Sequence, residues 1–105
     1  MSFNNLLLKL LKMTKESQER GRQAEERVYT LAQTLGNARM ATQGEDHAGK
    51  TDVVLEDYQI QVSVSPKSKK QRKRLEARGV TNIPGGEDVS DGVILTMLKK
   101  LIGLS

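Results

Sequence analysis

The sequence predicts an α/β domain in which a mixed sheet of about four strands is flanked by helices, in the order ααβββαβα. Three observations carry this. Residues Thr51 to Ser65 hold two alternating runs, TDVVLE and YQIQVSVS, that meet at Glu56 and Asp57 and read as an antiparallel hairpin. Upstream, Ala24, Val28, Leu31, Ala32 and Leu35 recur at helical spacing and Gly36 follows, where a helix stops. Downstream, a basic helical segment, the apolar run Val80 to Ile83 and a second apolar-periodic stretch complete the set.

Taken in order, the opening MSFNNLLLKLLKM places Phe3, Leu6, Leu7, Leu10, Leu11 and Met13 on one helical face, with Lys9 and Lys12 off it. It is too short for a membrane span and has no small-residue cleavage pattern, so an amphipathic helix is expected and neither a signal peptide nor a membrane segment. Thr14 to Arg22 is polar throughout, and a break or exposed bridge is expected there. The chain thus divides into an amphipathic helix with its polar connection over 1–19 and one domain over 20–105.

A helix from Arg20 to Leu35 leads to a short strand within Asn37 to Thr42 and a glycine-punctuated loop from Gln43 to Lys50, whose His47 has no partner motif for zinc. In the hairpin, turn residues Glu56 and Asp57 pair Leu55 with Tyr58 and Val53 with Ile60, and set Asp52 opposite Gln61. One face then carries Val53, Leu55, Tyr58, Ile60, Val62 and Val64; the other carries Asp52, Gln59, Gln61, Ser63 and Ser65, with Val54 as the exception. Ser65-Pro66 ends the strand and opens the basic helix, which stops at Gly79. Pro84-Gly85-Gly86 forms a loop. The last helix is capped by Ser90 or Asp91 and is expected to bury Val93, Ile94, Met97, Leu98 and Leu101.

The 105 residues are 36% hydrophobic and 29% charged, the composition of one folded domain rather than of a disordered chain. There is no cysteine, which excludes disulfides and thiolate metal sites and makes a reducing, cytoplasmic location the expectation. The net charge of +4 hides an asymmetry: Pro66 to Arg78 holds Lys67, Lys69, Lys70, Arg72, Lys73, Arg74 and Arg78 against Glu76 alone, so this segment is +6 and the remainder −2. Seven cations in thirteen residues exceed what a solvated helix needs and point to phosphate contact, with Lys50 as a further cation at the hairpin's entrance. With no tryptophan, and only Phe3, Tyr29 and Tyr58 as aromatics, base-stacking platforms for single strands are not expected, so duplex or branched DNA is the expected partner.

Metal-dependent phosphodiester cleavage requires carboxylates around Mg²⁺ or Mn²⁺, a group that positions water, and a cation near the phosphate. Asp52, Gln61 and Ser63 share one predicted sheet face. Glu25 borders the apolar stripe of its helix, whereas Glu26 falls on the solvated side. Gly21, Ala24 and Glu25 in GRQAEERV, Asp52 in GKTDVVLE and Gln61 in IQVSVS, followed by a basic helix, resemble the PD-(D/E)xK nuclease superfamily, and within it the archaeal Holliday junction resolvases and restriction-endonuclease-like domains. The likeness spans about Arg20 to Leu101.

It implies a DNA endonuclease, a phosphodiester hydrolase that works as a dimer, in which Asp52 is the principal metal ligand, Glu25 supports the metal shell and Gln61 fills the second acidic position. Thr51 stands where the family has proline, and Ser63 where it has the catalytic lysine. Lys67, just past the strand, or Lys50, just before Asp52, is then the cation within reach. A protein of the same fold that binds DNA without cutting it is the alternative, and a small protein-interaction adaptor a third. The same residues also have plainer readings: Asp52 opening a strand, Gln61 and Ser63 on a solvated face, Glu25 in a helical ion pair. The first helix is read as packing on its own domain or pairing with a second copy.

Overall fold

The computed structural model describes residues 3–44 and 50–104, so the predicted loop residue His47 lies outside the described residues. Among the described residues these elements follow one another: α1 (Phe3–Gln33), β1 (Ala38–Met40), β2 (Val53–Leu55), β3 (Tyr58–Ser63), α2 (Lys69–Glu76), β4 (Val80–Pro84) and α3 (Asp91–Leu101). The four strands form one mixed sheet in the order β1-β2-β3-β4. The β1/β2 and β2/β3 pairs are antiparallel, and β3/β4 is parallel, which is why a helical crossover joins that pair. The expected mixed sheet flanked by helices is what forms.

The expected break in the first helical region does not occur; α1 is continuous for 31 residues, about 46 Å at the α-helical rise. Its polar middle is built of Lys, Glu, Gln and Arg, which are strong helix formers. Arg22 also bridges Glu19 one turn before it and Glu26 one turn after it, and Gln23 donates to Glu19 at 3.3 Å. The Arg22 guanidinium holds the Glu19 carboxyl below the ordinary carboxylate range. Polarity over these residues signals exposure of the helix and not its interruption. The helix stops as predicted, with the Leu35 and Gly36 amides turning back to the Ala32 carbonyl. Among the described residues no helix is long and apolar enough to cross a membrane.

The core sits between the sheet and the pair α1/α3. Val28, Ala32, Val53, Leu55, Ile60, Ile83, Ile94 and Leu98 form one buried cluster. Val54, Leu75 and Val80 are buried outside that cluster, and strand alternation puts Val54 and Val80 on the side covered by α2. Three expectations about burial change. Tyr58, at the hairpin tip beyond the reach of either helix layer, is 43% exposed. On α3, Ile94 and Leu98 are buried in the core and Leu101 packs half-buried against it, while Val93 and Met97 flank that line and are 47% and 36% exposed. A single sheet face accommodates one i, i+4 row of so short a helix, not a full apolar stripe.

The hairpin reverses at Glu56, whose φ of 54° is left-handed. Two bonds to Asn37 hold it: the Glu56 amide donates to the Asn37 carbonyl at 2.7 Å, and the Asn37 amide donates to Glu56 Oε1 at 3.0 Å. At the other end of the sheet, Gly85 and Gly86 pass so close to α1 and β3 that side chains do not fit there. Arg27 clamps this loop to α3, donating from Nη1 to the Gly86 carbonyl at 2.6 Å and from Nε to Asp91 Oδ1 at 2.8 Å.

Candidate functional site

β2 ends one residue short of where β3 would still pair with it, and this decides how Asp52 is used. Val53 pairs with Ile60 and Leu55 with Tyr58, as the hairpin predicts. The ladder does not extend to an Asp52–Gln61 pair. Instead the Asp52 amide donates to the Ile60 carbonyl at 2.8 Å, and its Oδ2 accepts from the Val62 amide at 2.7 Å. The carboxylate thus substitutes for the strand carbonyl that Val62 lacks. Replacing Asp52 with Ala leaves that half-buried N–H without its acceptor and is expected to lower the unfolding free energy by about 1–3 kcal/mol. Asp52→Asn, which keeps an acceptor oxygen, is expected to retain most of the stability; urea denaturation of both variants checks this.

Glu25 and Asp52 do come together, both lining a hollow of about 150 Å³ with Met40, Thr42 and Thr51. Gln61 and Lys67 line a different one. It has a volume of about 250 Å³ and is walled by Lys50, Gln61, Lys67, Gln71, Arg74, Leu75 and Arg78. Ser63 is tied into the sheet, its Oγ donating to the Ser65 carbonyl at 2.6 Å and accepting from Asn82 Nδ2 at 3.0 Å. The set implied by the resemblance is therefore divided between two hollows. A divalent ion in the smaller hollow would meet two carboxylates, one of them already holding a backbone amide, and no group of three His, Cys, Asp or Glu suited to a metal occurs among the described residues. This donor set falls short of a catalytic metal centre, and no reaction step is derived through one.

The larger hollow has a coherent chemistry. On α2 and its flanks, Lys67, Gln71, Arg74 and Arg78 recur at helical spacing, so one face of the segment turns toward the sheet. Lys50 closes the opposite wall from a left-handed φ of 56°, a conformation that is uncommon for lysine. The floor is Gln61 on β3, beside its register partner Asn82 on β4. Asn82 is buried and donates to Ser63 Oγ and, at 3.4 Å, to the Gln61 carbonyl. Among the described residues, the side-chain oxygens of Gln61 and Asn82 are both buried without a hydrogen-bond donor. Four cations thus stand over an uncompensated acceptor.

The outer face of α2 continues the basic surface. Lys69, Lys70, Arg72 and Lys73 are exposed, and neither they nor the four cations of the hollow take part in an ion pair among the described residues. The helix begins with a capping box between Ser68 and Gln71 but has no acidic residue in its first turn, where Lys69 and Lys70 oppose the helix dipole. Lys73 and Arg74 in the last turn do complement the dipole, so the uncompensated end of the helix is its N-terminus alone. Sequence reasoning assigned the cations but missed Gln71 and Asn82. Asn82 becomes visible only when β4 is known to pair in parallel with β3 at Gln61. Comparison with family models, with curated proteins and with solved structures finds no match for this chain.

Proposed function

We propose that this chain binds duplex or branched DNA through the phosphate backbone, using the hollow of Lys50, Lys67, Arg74 and Arg78 and the outer cations of α2. The observation that carries the reading is the concentration of eight cations on and around one short helix, none of them in an ion pair among the described residues. Phosphate contacts of this kind give affinity and salt dependence without reading sequence. The reading favours binding without cleavage, because Ser63 supplies no cation and Asp52 has a structural task. An endonuclease is the second reading, supported by the shared hollow of Glu25 and Asp52.

A buried amide oxygen without a donor costs stability, and the cations around it supply the phosphate contacts, so the floor and the walls of the hollow are tested separately. Gln61→Met removes the orphan acceptor at similar volume and is expected to raise the unfolding free energy by about 1 kcal/mol. Arg74→Ala with Arg78→Ala, which removes two cations from the wall of the hollow, is expected to weaken retardation of labelled duplex in a gel-shift titration. Run in parallel with Mg²⁺, Mn²⁺ and EDTA, the titration also separates the two readings: a salt-sensitive shift with intact DNA supports binding alone, and metal-dependent cuts lost in Asp52→Ala support the endonuclease. A protein that neither shifts nor cuts duplex or branched DNA removes both.

A further inference from the structure

Between Leu7 and Arg20 the described side chains of α1 stand away from the core. Leu7, Leu8, Leu10 and Leu11 are 44%, 64%, 56% and 54% exposed, and every described side chain from Leu7 to Arg20 is exposed. The molecule is accordingly long in one direction, 56 Å against 28 and 26 Å. Residues 7, 10, 14, 17, 21, 24, 28 and 31 follow one unbroken alternation of threes and fours. The last three of these, Ala24, Val28 and Leu31, face the core, so Leu7 and Leu10 prolong the same face into solvent. Four exposed leucines within two turns form a patch that demands a cover.

We propose that the cover is a second copy of this chain, whose α1 lies antiparallel along the first about a two-fold axis near residue 12. In an antiparallel pair the two alternating seam positions of one helix meet those of the other in reverse order. With this axis Leu10 of one copy packs on Thr14 of the other, Leu7 packs on Ser17, and the start of one helix comes level with Gly21. Each layer matches a large apolar residue with a small one, on a face that repeats this pairing when turned by the two-fold axis. The polar Thr14, Ser17 and Gln18 interrupt the face after two turns. They are ill suited to a lipid surface and well suited to receive another helix's leucines.

Two observations outside the leucines agree. Gly21 lies inside a helix, where glycine is unfavourable, yet a Cβ there would meet nothing within 4 Å in the single chain. Its own fold does not require it; a closely approaching partner helix does. Beside it, Arg20, Gln23, Ala24, Arg27, Val64 and the Gly85-Gly86 loop border a hollow of about 540 Å³, which leaves room where the partner's helix begins. Lys9, Lys12 and Lys15 lie off the seam, so the pairing brings no lysine onto lysine along it.

Sedimentation of the full chain over micromolar to near-millimolar concentrations is expected to show a monomer–dimer equilibrium. Leu7→Asp with Leu10→Asp is expected to abolish it while circular dichroism and the core remain unchanged, since both residues are exposed. Gly21→Leu is expected to weaken association at least tenfold although it favours the helix of the monomer. The chain has no cysteine, so single-cysteine variants report the orientation. Leu11→Cys is expected to crosslink between copies, whereas Ser17→Cys is not, its two copies standing about 15 Å apart along the axis. Crosslinking at Ser17→Cys but not at Leu11→Cys overturns the antiparallel pairing. A monomer throughout the range, or a dimer indifferent to the leucine and Gly21 variants, overturns the proposal. Leucine-dependent flotation of monomer with phosphatidylserine vesicles would also overturn it, with lipid as the occupant.

Discussion

Reversing the charge of Lys69, Lys70, Arg72 and Lys73 together to Glu is expected to weaken duplex binding by roughly a thousandfold at about 0.1 M salt, if each lysine or arginine neutralises one phosphate. The same change is expected to reduce the slope of log K against log salt by about 3.6, because each lost contact releases about 0.9 fewer counterions. The four side chains are exposed and unpaired, so the core is not involved. Acidic residues in the first turn of α2 complement its dipole while Glu at position 73, in the last turn, opposes it, so the variant is expected to stay folded with a stability close to that of the natural chain. Fluorescence anisotropy with a labelled duplex at several salt concentrations, together with thermal unfolding, measures both. Binding that keeps its affinity and slope in a folded variant would show that the outer face of α2 is not the contact.

The largest effect on stability is expected at Gly86. A Cβ built there would lie 2.2 Å from the Val64 carbonyl oxygen and 2.9 Å from Val64 Cγ1, and the oxygen belongs to backbone that cannot step aside. The Gly86 amide itself donates to that carbonyl at 3.0 Å, so moving the loop away also breaks this bond. Gly86→Ala is expected to cost about 3 kcal/mol, read from urea denaturation, and to loosen the Arg27 clamp on α3. Gly21→Ala, which meets nothing, is the control and is expected to be neutral or stabilising in the monomer. Equal stabilities for Gly86→Ala and the natural chain would contradict the packing described for this loop.

The sheet was legible because its signals are local. Alternation over Thr51 to Ser65 and two turn residues specify the hairpin and most of its register, and Gly36, Gly79 and Ser90 mark helix ends through backbone geometry that needs no tertiary information. What was not legible depends on contacts between distant residues. The polar run Thr14 to Arg22 lacks an apolar stripe, and pattern reading takes that for a break; it contains no proline, and the Glu19–Arg22–Glu26 bridges carry the helix through Gly21. Val93 and Met97 fit a helical stripe, but how much of that stripe is buried depends on the width of sheet available to α3.

The candidate site divides in the same way. Charge counting singled out the basic segment for phosphate contact, and the structure places Lys69, Lys70, Arg72 and Lys73 on the exposed face of α2. Alternation alone placed Asp52 on the Gln61 face, but the irregular end of β2 turns it aside to the Val62 amide. Glu25 was singled out because it borders the buried stripe of α1, and it does share a hollow with Asp52. Asn82 carries no motif; its place beside Gln61 arises from the parallel register of β3 and β4, which a crossover of this length does not encode in any local pattern.

The proposed entry of DNA phosphate into the hollow between α2 and Gln61 is open to titration of isotope-labelled protein with a short duplex, followed by amide NMR shifts. The largest changes are expected on residues 67–78 and Lys50, and on the side-chain amides of Gln61 and Asn82 at the floor of the hollow. Changes centred on Glu25, Thr42 and Asp52, with the Gln61 and Asn82 side chains unmoved, would contradict it and place the contact in the smaller hollow.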